Sequence, residues 1–242
     1  METTTITSNR ILSERRFYSG MAIAILISVL VGFGRSFFLS PLFPNHPAPT
    51  ELVFYLHGAL FTSWIIIFFA QVSLISRGRT KLHKKIGFAS AFLVVAMVIL
   101  GVIGALTAAS RSTGFVGIPV PPLQFLAVPL FDMIVFPAFV AMAYIRRNNS
   151  QSHKRWMVLA TLNLITAAIA RWPVVSSLGP LAYFGITDLF IVALALWDFR
   201  SQGKIHQVTL WGGLLMIISQ PLRLIVSGTS AWMAFATWAT GQ

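Results

Sequence analysis

The chain has 242 residues, 56% of them hydrophobic and 10% charged, with a net charge of +12 and a mean hydropathy of +0.78. A soluble domain carries about 25% charged residues, so water cannot be the solvent for most of this surface, and the composition points to an all-α integral membrane protein facing a lipid bilayer. With no cysteine in the chain, disulfides, thiolate metal sites, iron–sulfur clusters and thiol catalysis are excluded.

A bilayer span takes about 20 apolar residues, and seven runs qualify. Residues 1–17 are polar and hold Arg10, Arg15 and Arg16. The run that follows lacks a small-residue cleavage site, so it is expected to stay as the first span, Tyr18–Ser40. Pro41–Thr50 is a proline-rich loop that cannot continue a helix. Spans two and three, Glu51–Ile75 and Ile86–Ala109, flank the basic stretch Arg77–Gly87. Ser110–Pro122 is a loop, and span four runs from Leu123 to Ile145. Span five runs from Trp156 to Val175, span six from Leu181 to Phe199, and span seven from Gln207 to Ser227. Gly228 permits a break, after which Ala231–Thr240, with Trp232 and Trp238, suits an interfacial tail. The expected organisation is a cytoplasmic segment, residues 1–17, and one seven-span domain, residues 18–242.

The basic balance does not mark a nucleic-acid partner. Fourteen of the eighteen Lys and Arg lie in the N-terminal segment and in the loops after spans two, four and six. By the positive-inside rule this gives a seven-helix bundle with its N-terminus cytoplasmic and its C-terminus outside, a multi-pass protein of the bacterial inner membrane. Cytoplasmic loops of this kind also meet anionic lipid heads.

The three basic loops share a spacing. Arg77, Arg147 and Arg200 each precede a histidine by six positions, His83, His153 and His206. Spans two–three, four–five and six–seven therefore read as a threefold helical-hairpin repeat with span one added. Polar residues at a helix start satisfy unpaired N–H groups, which is one reading of these histidines. The other is that they converge as ligands of a metal or of a haem iron, for which imidazole is well suited.

A second charged layer lies near the opposite face. Arg35 is 19 residues beyond Arg16, Arg171 is 18 beyond His153, and Arg223 is 17 beyond His206. By helix rise these sit roughly 25–28 Å from the basic edge. His57, Asp132 and Asp188 enter the same region from spans two, four and six. Ionised groups inside a bilayer cost at least about 2.5–3.5 kcal/mol, so they face inward and pair. Pro129, Pro173 and Pro221 stand beside them, as do Gly32 and Gly34, and interrupted helices near ionisable groups are how many transporters build a site. Three arginines against two aspartates leave one positive charge, which suits a small anion, a carboxylate or haem propionates. Pairing that merely holds the bundle together is the alternative. Span seven has no lysine, which excludes a retinal Schiff base.

The segment HGALFTSWIIIFFAQVSLISRGRTKLHKKIG, His57 to Gly87, with SHKRWMVLATLNLITAAIAR, Ser152 to Arg171, resembles a family of polytopic bacterial membrane proteins of uncharacterised function. The shared signatures are Leu-His-basic-x-x-Gly and His-basic-Arg-Trp-Met. The histidine-rich helix ends are more loosely similar to membrane b-type cytochromes, although the pair of histidines those proteins carry on one helix is absent here. Three functions follow as expectations. One is a haem b-binding redox protein, with His83, His153 and His206 as ligand candidates and arginines for the propionates. Another is a transporter or channel for a small anionic solute, bound by Arg35, His57, Asp132, Arg171, Asp188 and Arg223. The third is a non-catalytic accessory or assembly protein.

Overall fold

The computed structural model describes residues 2–45, 49, 51–115, 118 and 120–242, with side chains from residue 11 onward; His46, expected in a solvated outer loop, lies outside them. The described residues form helices and no strands. The helices are α1 (Glu2–Phe33), α2 (Leu52–Ser76), α3 (Thr80–Ser110), α4 (Pro122–Phe125), α5 (Ala127–Ile145), α6 (Ser150–Ile169), α7 (Val175–Leu178), α8 (Pro180–Gln202), α9 (Gln207–Ser227) and α10 (Ser230–Thr240). After Phe33 the chain continues through a π-helical turn, Gly34–Phe38.

Among the described residues, six helical segments are long and apolar enough to cross a membrane: Ile11–Phe38, α2, α3, Pro122–Ile145, α8 and α9. Large apolar side chains stand fully outward on them, among them Phe92, Ile134 and Ile225. A continuous apolar exterior of this extent belongs in lipid.

The one long helix outside that set among the described residues, α6, is the axis of the fold. Twelve of its twenty residues are buried, more than on any other helix. It packs against α1, α5, α8 and α9, and Trp64 of α2 donates to Thr161 on it at 3.3 Å. Because neighbouring helices cover it, α6 has no need of an apolar surface, and it holds Arg155, Thr161, Asn163 and Thr166 in the interior. Helices already in lipid gain little further from apolar burial, so close packing and interhelical hydrogen bonds hold them together. The Thr166–Thr187 contact at 3.2 Å joins α6 to α8 in this way. Backbones approach closely where Gly32 of α1 meets α6, since a Cβ there would collide with the Ala168 carbonyl.

The helix ends sort by charge. At one end the start of α6 meets α1 through a Lys154–Glu14 ion pair and α8 through Arg155–Asp198, and His153 meets His83 at the start of α3. At the other end Arg111 pairs with Glu51 at 3.3 Å, and Trp232 of α10 donates to the Leu123 carbonyl at 2.8 Å. The basic loops after α2, α5 and α8 therefore share one end of the bundle.

Several boundaries differ from the sequence expectation; α1 runs Glu2–Phe33, where span one is expected over Tyr18–Ser40. Span five was expected over Trp156–Val175, whereas α6 covers Ser150–Ile169. Asn149 starts it early, its side chain accepting from the Ser152 N–H at 3.1 Å. Its far end stops before Pro173, and Val174 adopts φ 72°, the one positive φ among described non-glycine residues. The α3 helix begins at Thr80, so His83 lies inside it rather than before it. Pro129, expected to interrupt a helix, sits in the first turn of α5 where no bond is lost; Pro137 and Pro221 are the prolines inside helices.

Candidate functional site

The charged layer at the end of the bundle away from the basic loops divides into a closed part and an open part. In the closed part Arg223 of α9 donates to Asp132 of α5 at 2.7 Å. Its other nitrogens bond the Ser219 carbonyl and hydroxyl, both at 3.2 Å, and its guanidinium lies 5.9 Å from the Phe131 and Phe184 rings. Asn163 of α6 lies beside the pair. Both charges are buried and mutually neutralised. Among the described residues Asp188 takes no arginine; Gln220 donates to it at 2.8 Å.

The open part lies where α1, α2 and α6 meet. Arg171, just past α6, donates to its own Ala167 carbonyl at 2.7 Å and stands 5.0 Å over the Phe33 ring. Arg35, in the π-helical turn two residues beyond Phe33, lies 5.7 Å from the Phe43 ring. Both are exposed. Among the described residues neither pairs with a carboxylate. His57 of α2 is close enough to Arg171 to feel its charge. Its ring stacks on Phe61 at 4.0 Å, and its Nδ1 is buried without a hydrogen-bond partner. The backbone is irregular on both sides: the Leu39 N–H reaches back to the Gly34 carbonyl at 2.8 Å, closing the π turn, and α6 breaks into Val174. Such turns gather at functional sites. Arg171 and Arg35 carry positive charge and hydrogen-bond donors here, and a planar oxyanion would meet guanidinium forks.

The three histidines of the basic loops divide as well. His83 and His153 come together, ring centroids 6.1 Å apart and planes nearly perpendicular. His153 bonds the Ala143 carbonyl through Nδ1 at 2.8 Å, which leaves Nε2 free of that contact. Buried beside them, His83 Nδ1 and Gln71 Oε1 have no hydrogen-bond partner among the described residues. His206 belongs elsewhere: its Nδ1 accepts from the Val208 N–H at 3.1 Å and caps α9, while its own N–H donates to Asp198. Among the described residues no three His, Asp or Glu side chains are grouped as a metal site. A haem iron would therefore have His83 and His153 to draw on. Arg35, Arg171 and Arg223 lie toward the other end of the bundle and are out of reach of its propionates.

One cluster was missed in the sequence. Arg155 counts there among the loop charges, and Asp198, inside span six, is given no role. In the fold both are fully buried and paired, Arg155 donating through Nε at 3.0 Å and also through Nη2. Asp198 accepts as well from Thr209 Oγ1 at 2.5 Å and the His206 N–H at 3.2 Å. Arg155 Nη1 bonds the Gln151 carbonyl and side chain at 2.7 and 2.8 Å, and Gln151 leads to Glu14 and Lys154. The signal was the scarcity of acid: the chain has six Asp and Glu, so each one placed near an apolar run merits a partner.

Compared with known proteins, the chain matches no family model, no curated protein and no solved structure.

Proposed function

We propose that this is a transporter of the bacterial inner membrane that binds a small anionic solute, a carboxylate or inorganic oxyanion, between Arg171, Arg35 and His57. The reading takes α6 as a seventh span, sheltered inside the other six, with the basic end of the bundle in the cytoplasm and the site toward the outside. It also takes the resemblance to polytopic bacterial membrane proteins as kinship. The observation that carries the anion reading is the contrast within the charged layer: Arg223 is neutralised by Asp132, whereas Arg171 and Arg35 have no carboxylate among the described residues. Intramembrane cations are costly and are kept where they act. Irregular backbone beside a ligand site is the usual construction in transporters.

The test is thermal unfolding of the purified protein against a panel of small anions (acetate, lactate, succinate, phosphate, sulfate, nitrate), followed by uptake of the best ligand into proteoliposomes. Wild type should be stabilised by at least one anion, and Arg171→Gln and Arg35→Gln should fold normally and lose the response. Variants that respond like wild type would make the arginines structural.

The His83–His153 approach favours a second reading, a haem b-binding redox protein with those two imidazoles as axial ligands. An absorption spectrum of protein supplemented with haem decides it: a Soret band lost in both His83→Ala and His153→Ala supports it, and no band in wild type rejects it.

A further inference from the structure

Between α1 and α8, at the basic end of the bundle, runs a groove of about 430 Å³ lined by Arg16, Phe17, Gly20, Ala24, Leu189 and Phe190. It exists because small residues face each other there. A Cβ built on Gly20 meets nothing within 4 Å, and Ala24 and Ala193 add little bulk. Phe17 is stacked flat on Trp197, centroids 4.6 Å apart, which joins α1 to α8 beside the basic rim. Inward from that rim the walls are apolar. Arg16 stands at the rim itself, exposed and without a carboxylate partner among the described residues. Arg15 is next to it, and exposed Arg200 follows Trp197 by three residues on α8.

We infer that this groove holds one acyl chain of an anionic phospholipid, in the leaflet that meets the basic helix ends, with the phosphate of its head group on Arg16. The geometry suits that occupant. Gly20 and Ala24 lie four and eight residues from Arg16, about 6 and 12 Å along the helix, so the groove runs from head-group depth into the hydrocarbon. The outer surfaces of α1 and α8 are apolar and face the bilayer, so a lipid tail is the ligand at hand. The basic rim then selects among lipids, since each Lys or Arg near an anionic surface contributes roughly 1 kcal/mol. The inference does not depend on which solute, if any, binds at the opposite end.

Native mass spectrometry of the full chain, delipidated in detergent and titrated with dioleoylphosphatidylglycerol or dioleoylphosphatidylcholine, tests it. Wild type should hold its first phosphatidylglycerol about fivefold more tightly than phosphatidylcholine, the equivalent of one basic residue's contribution. Arg16→Gln should bring the two lipids level while keeping the phosphatidylcholine adduct. Gly20→Phe, which fills the groove, should lose the first adduct of both. Ile27→Phe, on an exposed part of α1 outside the groove, should match wild type. Should Gly20→Phe fail to fold, Ala193→Phe fills the groove from the opposite wall. Equal retention of the two lipids by wild type overturns the proposal, as does an unchanged first adduct in a folded groove-filled variant.

Discussion

At the basic end of the bundle the buried charges are closed on one another; at the opposite end two arginines are left open. Arg155 and Asp198 spend their hydrogen-bonding capacity on each other, on Thr209, on Gln151 and on the His206 N–H. Glu14 and Lys154 close the rim of that network. Four helices, α1, α6, α8 and α9, are tied there, and no acceptor on Asp198 is left for a ligand. At the other end the same kind of residue is used differently. Arg223 is locked to Asp132, while Arg171 leans on Phe33 and its own helix, beside a π turn and a broken helix end. Saturation marks a clamp, and spare donors mark a binding surface.

The largest effect should come from breaking the clamp. Asp198→Asn leaves the Arg155 guanidinium buried without a counter-charge and is expected to cost about 3–5 kcal/mol, read as a large loss in thermal or denaturant unfolding in detergent. The double variant Arg155→Met with Asp198→Leu should recover part of it, because an apolar pair of similar size avoids both charge-desolvation penalties while leaving Thr209 and the His206 N–H without their acceptor. If Asp198→Asn unfolds like wild type, the two ends are not different in kind. Next is Gly32→Ala, which leaves every charge in place and forces α1 away from the Ala168 carbonyl. Overpacking of this sort costs about 1–3 kcal/mol. It should also weaken any anion response, since Arg35 and Arg171 are carried on these two helices. Smaller still is the stability effect of Arg171→Gln at the open end, within about 0.5 kcal/mol, as for an exposed side chain that meets only a carbonyl of its own helix and one ring face. A loss as large as that of Asp198→Asn would move Arg171 into the clamp class.

The long apolar runs made the helices legible, and they also explain what was misread. Hydropathy locates the apolar part of a helix, so it centres span five too late: the polar start of α6 is held by protein contacts, with Ser152 and Arg155 buried, and needs no apolar face. The Asn149 cap was visible in the sequence as a helix-start residue. The equal six-residue offset of His83, His153 and His206 suggested one cluster. Spacing along the chain, however, carries no information about which helices become neighbours, and α6 brings His153 to His83 while its other face takes Asp198. Arg35, Arg171 and Arg223 were placed in one layer by counting helix rise. Which of them finds a carboxylate depends on helix rotation about the α6 axis, and that is set by contacts such as Gly32 on Ala168. Arg155–Asp198 joins residues 43 apart in the chain, so nothing local announces it.

The smallest expected effect tests the clamp through pH. His206 stands at its edge, facing Arg155, Asp198, Lys154 and Lys204. Burial, and then the positive charge of Arg155, hold its imidazole below the ordinary value of 6.5. The folded chain therefore takes up this proton less readily than the unfolded chain. Above about pH 6.5 both forms are neutral and His206 contributes no pH dependence. As pH falls through that value the unfolded chain binds the proton first, and stability declines until the folded-state value is reached. Because His206 is only partly buried, solvent screening keeps the slope shallow. His206→Asn retains an acceptor for the Val208 N–H and removes the titration, so its melting temperature should fall less steeply than wild type across roughly pH 7 to 5. Parallel curves would place the acid sensitivity of the basic end elsewhere in the network.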